Sequence, residues 1–226
     1  MKILVVAAHP DDEVLGCGGT IARLALEGHL VCVAILGEGI TSRCSSSDQA
    51  DQEQLRKLQA CSRHVAKFLG VSELFQYNFP DNRFDTIPLL EIVKHIEGIV
   101  QRIGPDIVYT QHGGDLNVDH AITFRATLTA TRPLLNSSIR AVYAYEVPSS
   151  TEWSFQRFEP IFRPTVFRNI SKTLAVKLEA MRMYGDEGRP FPHPRSAENL
   201  QAVAQHWGSV AGLQAAEAFE LIREVA

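Results

Sequence analysis

Residues 2–13 read KILVVAAHPDDE, an apolar run that leads directly into a His-Pro-Asp-Asp-Glu segment. The apolar part, Ile3–Ala8, predicts a β-strand covered on both faces, because a strand with one buried face would alternate apolar and polar residues. The segment at about 17–27 predicts the crossover helix that follows such a strand, and Gly28 ends it. This opening therefore indicates a βα unit of a parallel sheet.

The rest of the chain continues this alternation of short apolar runs and helix-length segments. Further strands are predicted at Leu30–Leu36, Glu73–Tyr77, Ile107–Thr110 and Ala141–Glu146, with Thr165–Phe167 as a candidate sixth. Helices are predicted at 49–69, from Pro88 to Ile103, and at about 119–131, 172–184, 196–207 and 213–224. The pattern predicts an α/β fold with a doubly wound, mostly parallel sheet and helices on both faces.

Size and composition favour one globular domain over residues 1–226. The chain has 22 Lys and Arg against 26 Asp and Glu, a net charge of −4, and 45% of its residues are apolar. This mild acidity argues against a general binder of nucleic acids or lipid surfaces. No membrane span is expected, and the first strand lacks the basic region and cleavage site of a signal peptide. Four cysteines without CxxC spacing predict a reduced, cytoplasmic setting.

The segment His9-Pro10-Asp11-Asp12-Glu13 places an imidazole and two adjacent carboxylates at the end of a buried strand. Charged groups in that position need compensation, whereas a helix start needs only one capping residue. A divalent metal held by the nitrogen of His9 and the oxygen of Asp12 would compensate the charge, and these donors suit zinc. The alternative is that Asp11 or Asp12 caps the helix and that His9 is a solvated loop residue.

A second cluster, residues 112–120, follows the predicted fourth strand and adds histidines and carboxylates at the same edge of the sheet. If the first and fourth strands are neighbours, His120 can complete a set of three ligands with His9 and Asp12. Three protein ligands leave a position open for water, as in catalytic zinc sites. The alternative, which is compatible with metal binding, is that Asp119 caps the helix at about 119–131.

Three stretches, AHPDDEVLGCGGTIARL, NVDH and the tail HPRS…AEAFELIR, resemble the LmbE/PIG-L family of zinc-dependent N-deacetylases, which act on N-acetylglucosamine-type amino sugars. The resemblance covers nearly the whole chain. It implies a Rossmann-like LmbE fold and one zinc ion held by His9, Asp12 and His120, ligands that would also accept other divalent metals. It further implies that Asp11 is the general base and that Asp119 orients a metal ligand.

The sequence departs from the family pattern at Asn117. The family has a histidine three positions before its last metal ligand, and this histidine stabilises the tetrahedral intermediate. An amide can donate a hydrogen bond to an oxyanion but supplies no positive charge. Either Asn117 performs this role more weakly or another group replaces it. The candidates are His112, His193 and a residue from a neighbouring copy of the chain.

The resemblance also suggests substrate contacts. In the family, the loop after the second strand and a Pro-Asp pair after the third contact the sugar, which corresponds to Arg43 and Asp81 here. Arg43 would bind a phosphate or glycosidic oxygen, and Asp81 would accept from sugar hydroxyls, unless they are a solvated and a turn residue. Glu146 and Glu152 follow the predicted fifth strand and are candidates for the pocket wall. Trp153 could face a sugar ring, although core packing is its favoured role.

The resemblance therefore implies a metal-dependent hydrolase that removes the N-acetyl group from an amino sugar within a glycan or sugar conjugate. Two alternatives remain: a zinc amidase that acts on a sugar–thiol conjugate, and a non-catalytic sugar- or nucleotide-binding module on the same fold. The expected partner is a small-molecule amino sugar, and association of chain copies is left open. NAD is not expected, because Ile21 occupies the position of the third glycine of a GxGxxG fingerprint.

Overall fold

The computed structural model describes residues 1–41 and 52–226. Its strands are Lys2–Ala7 (β1), Leu30–Gly37 (β2), Glu73–Phe79 (β3), Ile107–Gln111 (β4), Ala141–Tyr145 (β5), Val166–Asn169 (β6) and Ala216–Glu224 (β7). Its α-helices are Asp12–Leu26 (α1), Gln52–Leu69 (α2), Leu89–Ile103 (α3), Val118–Ala130 (α4), Leu174–Met183 (α5) and Ala197–Val210 (α6). Single turns of 3₁₀ helix occur at Phe84–Thr86, Glu152–Ser154 and Gly185–Glu187.

The strands form one sheet in the order β3-β2-β1-β4-β5-β7-β6. The pairs among β1 to β5 are all parallel, and β7 runs antiparallel to both β5 and β6. This confirms the predicted doubly wound, mostly parallel sheet. The first and fourth strands are neighbours, with Ile3 opposite Ile107. Their carboxyl ends, where the two charged clusters begin, therefore lie side by side.

Helices cover both faces of this sheet. Ile3 and Val5 of β1 pack into a core with residues of α1, α2 and α5, whereas Leu4 and Val6 pack into the opposite core with residues of α3 and α4. Burial on both faces explains why the first strand has no polar residue at alternate positions. None of the helices in the described ranges is both long and apolar enough to cross a bilayer.

The predicted helix over 213–224 is wrong, because this segment contains strand β7. Its Ala, Glu and Leu residues favour a helix in isolation, but β7 pairs with a strand on each side, and this pairing overrides the weak local preference. The buried Glu217 has a partner in Lys177, at 2.6 Å, and accepts from the amides of Gly19 and Thr20 in α1. The tail therefore holds the helix that carries Asp12.

Helix α1 begins at Asp12 rather than near residue 17, and it passes very close to β5 at Gly16. A Cβ atom on Gly16 would lie 2.1 Å from Cδ2 of Tyr145. The Tyr145 ring is fully buried, and its hydroxyl donates to the carbonyl of Val6 at 2.8 Å, so the ring has little freedom to move. This close approach fixes the start of α1 over the ends of β1 and β5.

We expect Gly16→Ala to lower the free energy of unfolding by roughly 1–3 kcal/mol, the usual cost of overpacking a filled core. Urea unfolding followed by circular dichroism measures this change. The matched control is Gly98→Ala in α3, where an added Cβ meets nothing within 4 Å. The control should stabilise the protein by roughly 0.5–1 kcal/mol, since alanine is the better helix former. Equal effects at the two positions would contradict the close approach at Gly16.

Candidate active site

The adjacent ends of β1 and β4 bring together the buried side chains of His9, Asp12 and His120. One nitrogen or oxygen atom from each lies within 4.8 Å of the others. Oδ2 of Asp12 is 3.4 Å from Nδ1 of His9 and 3.3 Å from Nε2 of His120. Two imidazoles and one carboxylate are the donor types that zinc and similar divalent ions prefer.

Two properties of this group fit a bound cation. Oδ1 of Asp12 is buried and has no hydrogen-bond partner within the described ranges. Burial alone would lower the pKa of His120, but the negative charges of Asp12 and Asp115 raise it to about 9. The same carboxylates would stabilise a divalent cation placed between the three side chains, and that cation would satisfy Oδ1. The residues present are therefore suited to a metal ion.

A second carboxylate contacts the far nitrogen of each imidazole. Oδ2 of Asp119 lies 2.9 Å from Nε2 of His9, and Oδ2 of Asp115 lies 3.2 Å from Nδ1 of His120. Contacts of this kind orient metal-binding imidazoles and select their tautomer. Asp119 thus lies where it can orient His9, as the resemblance implies, whereas sequence reasoning gave Asp115 no role. Asp115 was visible in the sequence only as one of several carboxylates in the 112–120 cluster.

Asp119 does not cap α4, so the capping alternative for this residue is wrong. The cap is Asn117, whose Oδ1 accepts from the amide of Asp119 at 2.9 Å. The Asp119 carboxylate instead accepts from the backbone amides of Asn82 and Phe84, at 2.6 and 2.9 Å. These bonds fix Asp119 against the loop after β3. Because Oδ1 of Asn117 is used by the cap, only its Nδ2 group is left to contact a substrate.

Asp81, a predicted sugar contact, lies beside the group formed by His9, Asp12 and His120 rather than on an open surface. It is 5% exposed, and its Oδ1 is 3.1 Å from Nε2 of His9. Together with His9 and Asp119 it forms a second group of atoms close enough to hold a cation. Arg43, the other sugar contact suggested by the resemblance, lies outside the described residues.

Asp11 has a backbone conformation that is unusual for a residue other than glycine, with φ at 101°. Its amide donates to Oε2 of Glu13, and its carbonyl accepts from the amides of Val14 and Leu15. The side chain makes no capping hydrogen bond, and Oδ2 accepts from Nη1 of Arg195 at 2.6 Å. The suggestion that Asp11 merely caps α1 is therefore wrong. Strain held in place by several contacts is common at functional sites.

Gln111, the last residue of β4, orients Asp12. Its Oε1 accepts from the amide of Ala8, and its Nε2 donates to Oδ2 of Asp12 at 2.8 Å. The amide of His9 donates to the same Oδ2 at 2.8 Å. Asp12 is therefore fixed by polar contacts instead of capping α1. Sequence reasoning missed Gln111, although a polar residue at the end of a buried strand beside the cluster was a usable signal.

Arg195 was also missed, because its motif, HPRS, was noted only as part of the family resemblance. Its guanidinium binds Asp11, donates from Nε to the hydroxyl of Ser149 at 2.8 Å, and lies 3.6 Å from Glu187. Burial raises the pKa of Asp11 well above its ordinary value, and the charge of Arg195 opposes that shift. The segment before α6 thus supplies the cation that faces the predicted base.

A cleft of about 550 Å³ adjoins this cluster. The residues that line it come from the loops after β3, β4 and β5 and from the segment before α6: Asn82, Leu116, Asn117, Val118, Ser149, Ser150, Trp153, Glu187, Arg189, His193 and Arg195. Trp153 is 40% exposed and packs edge-on against the ring of His193, so the expectation that Trp153 lies in the core is wrong. The cleft is large enough for a sugar ring with a substituent.

His112 does not line this cleft. Its Nε2 donates to the carbonyl of Pro160 at 2.7 Å, and its Nδ1 is 3.0 Å from a carboxylate oxygen of Glu220 in β7. Its ring packs edge-on against Phe162. Nε2 is therefore hydrogen-bonded to the surrounding scaffold, and Nδ1 faces one of its carboxylates without a hydrogen bond. The structure does not support His112 as a replacement for the family histidine, whereas His193 lies in the cleft wall.

Glu146 and Glu152 line a neighbouring cleft of about 390 Å³ rather than the one that contains Asn117. Desolvation raises the pKa of Glu146 to about 7, and the charge of Glu152 adds to this effect. A hydrogen bond from Trp207 and the charge of Lys177 oppose the shift, as does His112 to a smaller extent. Because Glu146 lines this neighbouring cleft, its predicted place in the substrate pocket is not supported.

Glu146→Gln should weaken the pH dependence of stability. Because the folded-state pKa of Glu146 is about 7 against an ordinary 4.5, the protonated form favours folding, and its contribution is lost as the pH rises from 4.5 through 7. The free energy of unfolding of the glutamine variant should therefore fall less over this range. Urea unfolding at several pH values measures it, with the exposed Glu179→Gln as control. The same decline in the wild type and in Glu146→Gln would contradict the raised pKa of Glu146.

Comparison with known proteins assigns the chain to a family. The PIG-L family model, described as GlcNAc-PI de-N-acetylase, matches residues 4–131, and the chain belongs to this family. The uncharacterized deacetylase YaiS of Escherichia coli K12 is 30% identical over 188 residues, which cover 80% of this chain and 89% of that protein. The diacetylchitobiose deacetylase of Thermococcus kodakarensis is 25% identical over 239 residues, with 98% and 83% covered.

The fold is shared with enzymes of another reaction class. The crystal structure of 4-carboxy-2-hydroxymuconate hydratase from Pseudomonas putida KT2440 matches with a TM-score of 0.76 at 20% identity, over 100% of this chain and 97% of that one. Similarity of fold alone therefore does not determine the reaction. Any assignment of function has to rest on the site and on the family.

Proposed function

We propose that this protein is a zinc-dependent hydrolase that removes the N-acetyl group from an N-acetylglucosamine-type amino sugar within a glycan or sugar conjugate. The observation that carries the proposal is the position of Asp11 beside the set His9, Asp12 and His120, at the edge of a cleft of sugar size. Membership of a de-N-acetylase family and similarity to a diacetylchitobiose deacetylase support the substrate class.

The metal-binding group is well oriented by the rest of the chain. A zinc ion held by His9, Asp12 and His120 would polarise the acetyl carbonyl and make a water molecule more acidic. Asp119 forms a hydrogen bond with the imidazole of His9, and Asp115 lies within ion-pair distance of the imidazole of His120. Because both carboxylates are themselves fixed by hydrogen bonds, the donor atoms converge without further rearrangement.

Asp11 is suited to move the proton. Arg195 occupies its Oδ2, and the described residues offer Oδ1 no hydrogen-bond partner, so this oxygen is available to the attacking water. The carboxylate takes the proton of the water and returns it to the nitrogen of the leaving amine, which must be protonated to depart. Glu13 holds the Asp11 backbone in its strained conformation and so keeps the carboxylate aimed at the reacting atoms.

The cleft wall provides the contacts for the sugar. Trp153 exposes an aromatic surface that can stack on the apolar face of a pyranose. Arg189 is exposed at the same wall and can donate to a substituent of the sugar. His193, which packs against Trp153, completes this side. The wall therefore combines one flat apolar surface with several donors, as recognition of a hydroxylated ring requires.

Acetate release tests this proposal. Zinc-loaded protein is incubated with N-acetylglucosamine, N,N′-diacetylchitobiose, an N-acetylglucosaminyl inositol and an amide of a sugar–thiol conjugate, and free acetate is measured. Release from at least one amino sugar, and its loss after chelation, is the expected result. Cleavage of the thiol conjugate alone would favour the amidase alternative. Binding of the sugars without acetate release would favour a non-catalytic module and would refute the proposed reaction.

A further inference from the structure

The reaction proposed above places negative charge on the acetyl oxygen, yet Asn117 stands where the family has a histidine. Oδ1 of Asn117 already caps α4, so this side chain can offer only the neutral Nδ2 group. A neutral amide stabilises an oxyanion less than a charged donor does. A cationic donor from another residue would stabilise that oxygen more strongly.

His193 does not supply that charge. Its Nδ1 accepts from the amide of Arg195 at 3.1 Å, which places the ring proton on Nε2. Burial and the charges of Arg195 and Arg189 lower the pKa of His193 below its ordinary value. The imidazole is therefore neutral at physiological pH. It can donate a hydrogen bond into the cleft but carries no positive charge there.

Arg195 has both the charge and the free donors. Its Nε donates to Ser149 and its Nη1 to Asp11. These hydrogen bonds use Nε and Nη1 and leave Nη2 out, and the side chain is 23% exposed in the wall of the cleft. A guanidinium is always charged and presents its donors in one fixed plane. With Nε and Nη1 bound to protein oxygens, Nη2 is held rigidly and remains available to a ligand.

We propose that Arg195 is the anion-binding residue of the cleft and that its Nη2 contacts the acetyl oxygen as negative charge develops there. In this role it replaces the histidine that the family carries at position 117. The identification of the anion as the acetyl oxygen rests on the proposed function. Binding of an anion by Arg195 does not depend on it. It also means that the cation comes from the same chain, without a contribution from a neighbouring copy.

The surroundings of Arg195 agree with this role. The same guanidinium that holds one oxygen of Asp11 would lie beside the oxygen of the carbonyl group whose carbon the base-activated water attacks. The charges of Asp11 and, to a smaller extent, Asp12 raise the pKa of Arg195. Arg195 alone would thus orient the general base and stabilise the negative charge that develops on the acetyl oxygen.

Binding of simple anions tests this assignment independently of turnover. The probes are acetate and methylphosphonate, a tetrahedral anion, titrated by calorimetry into metal-loaded protein. We expect Arg195→Met to weaken methylphosphonate binding by at least roughly 10-fold and Arg195→Lys to weaken it less, because lysine keeps the charge but not the planar fork. The control is Arg182→Met, which removes a cation from an exposed pair with Glu179. Unchanged binding in a folded Arg195→Met protein would overturn the assignment.

Kinetics distinguish this role from simple support of Asp11. Arg195→Met should lower kcat for acetate release by roughly 10²- to 10³-fold, as loss of an oxyanion donor does, with little change in KM or metal content. Adding Asn117→His to that variant should restore at least roughly 10-fold in kcat, because it returns a cationic donor to the family position. The same Asn117→His change in the otherwise wild-type protein should give a smaller gain. An equal gain in both backgrounds would mean that Arg195 only positions Asp11, and that result would overturn the assignment.

The two proposals fail in different ways. If the wild-type protein releases no acetate from any amino sugar but its methylphosphonate affinity depends on Arg195, the proposed reaction is wrong and the anion-binding assignment stands. If acetate is released and anion affinity is the same in Arg195→Met and Arg182→Met, the reaction stands and the assignment is wrong. Metal content and unfolding curves of every variant confirm that the proteins compared are folded and equally loaded.

Discussion

Asp11→Asn is expected to lower kcat for acetate release by roughly 10²- to 10⁴-fold, the range that loss of a general base produces. Asparagine keeps the shape of the side chain and tolerates the positive φ of this position, so the fold should survive. The amide cannot take a proton from water, although it still offers an oxygen to Arg195. Steady-state kinetics on the amino sugar that the wild type cleaves fastest measure the loss.

Metal content is the decisive companion measurement for this variant. Asp11 lies next to Asp12 in the chain but outside the set of three donors, so the metal equivalents per chain should be the same as in the wild type. Asp85→Asn, an exposed carboxylate in the Phe84–Thr86 turn, is the control and should retain full activity. Undiminished turnover by Asp11→Asn would show that another group is the base.

His120→Ala is expected to abolish metal binding at micromolar concentrations and, with it, the deacetylase activity. It removes one of three donors from a set in which each contributes to a single ion. Asp115→Asn should have a smaller effect, roughly a 10- to 100-fold loss of metal affinity, because Asp115 acts through the imidazole of His120. Titration with metal in the presence of a competing chelator measures the metal affinity of both variants, so that the two losses can be compared directly.

The order of these two effects is the informative result. If Asp115→Asn lost metal as completely as His120→Ala, Asp115 would itself be a ligand, and the described geometry would be wrong. His64→Ala, an exposed histidine in α2, is the control for nonspecific binding of metal to histidine. Retention of a full metal equivalent by His120→Ala would refute the proposed ligand set.

Much of the architecture could be predicted from the sequence because the local pattern and the tertiary environment agree. The apolar strand Ile3–Ala8 and the stripe of α3 contain few residues that suit any other element. The prediction for residues 213–224 was wrong because their composition favours a helix, whereas the strand β7 depends on two partner strands distant in sequence. Local preference is a weak guide wherever pairing at long range decides the conformation.

The site divides in the same way. His9, Asp12 and His120 could be proposed because each lies just after a strand or in the first turn of a helix, and the order of the strands places them together. Arg195 could not, since its contact with Asp11 spans 184 positions and depends on how the segment before α6 returns to the cleft. Gln111 and Asp115 act through Asp12 and His120, and a single sequence indicates such indirect contacts only weakly.

The place of β7 has a consequence for folding during synthesis. This strand inserts between β5 and β6 although it follows both in the chain, so β5 keeps an unpaired edge until the tail has been made. An exposed edge strand is a template for pairing with other chains, and pairing at such sequence separation is slow. The nascent protein is therefore most prone to aggregate in the interval before β7 is added, and a chaperone that shields the β5 edge would raise the yield of folded protein.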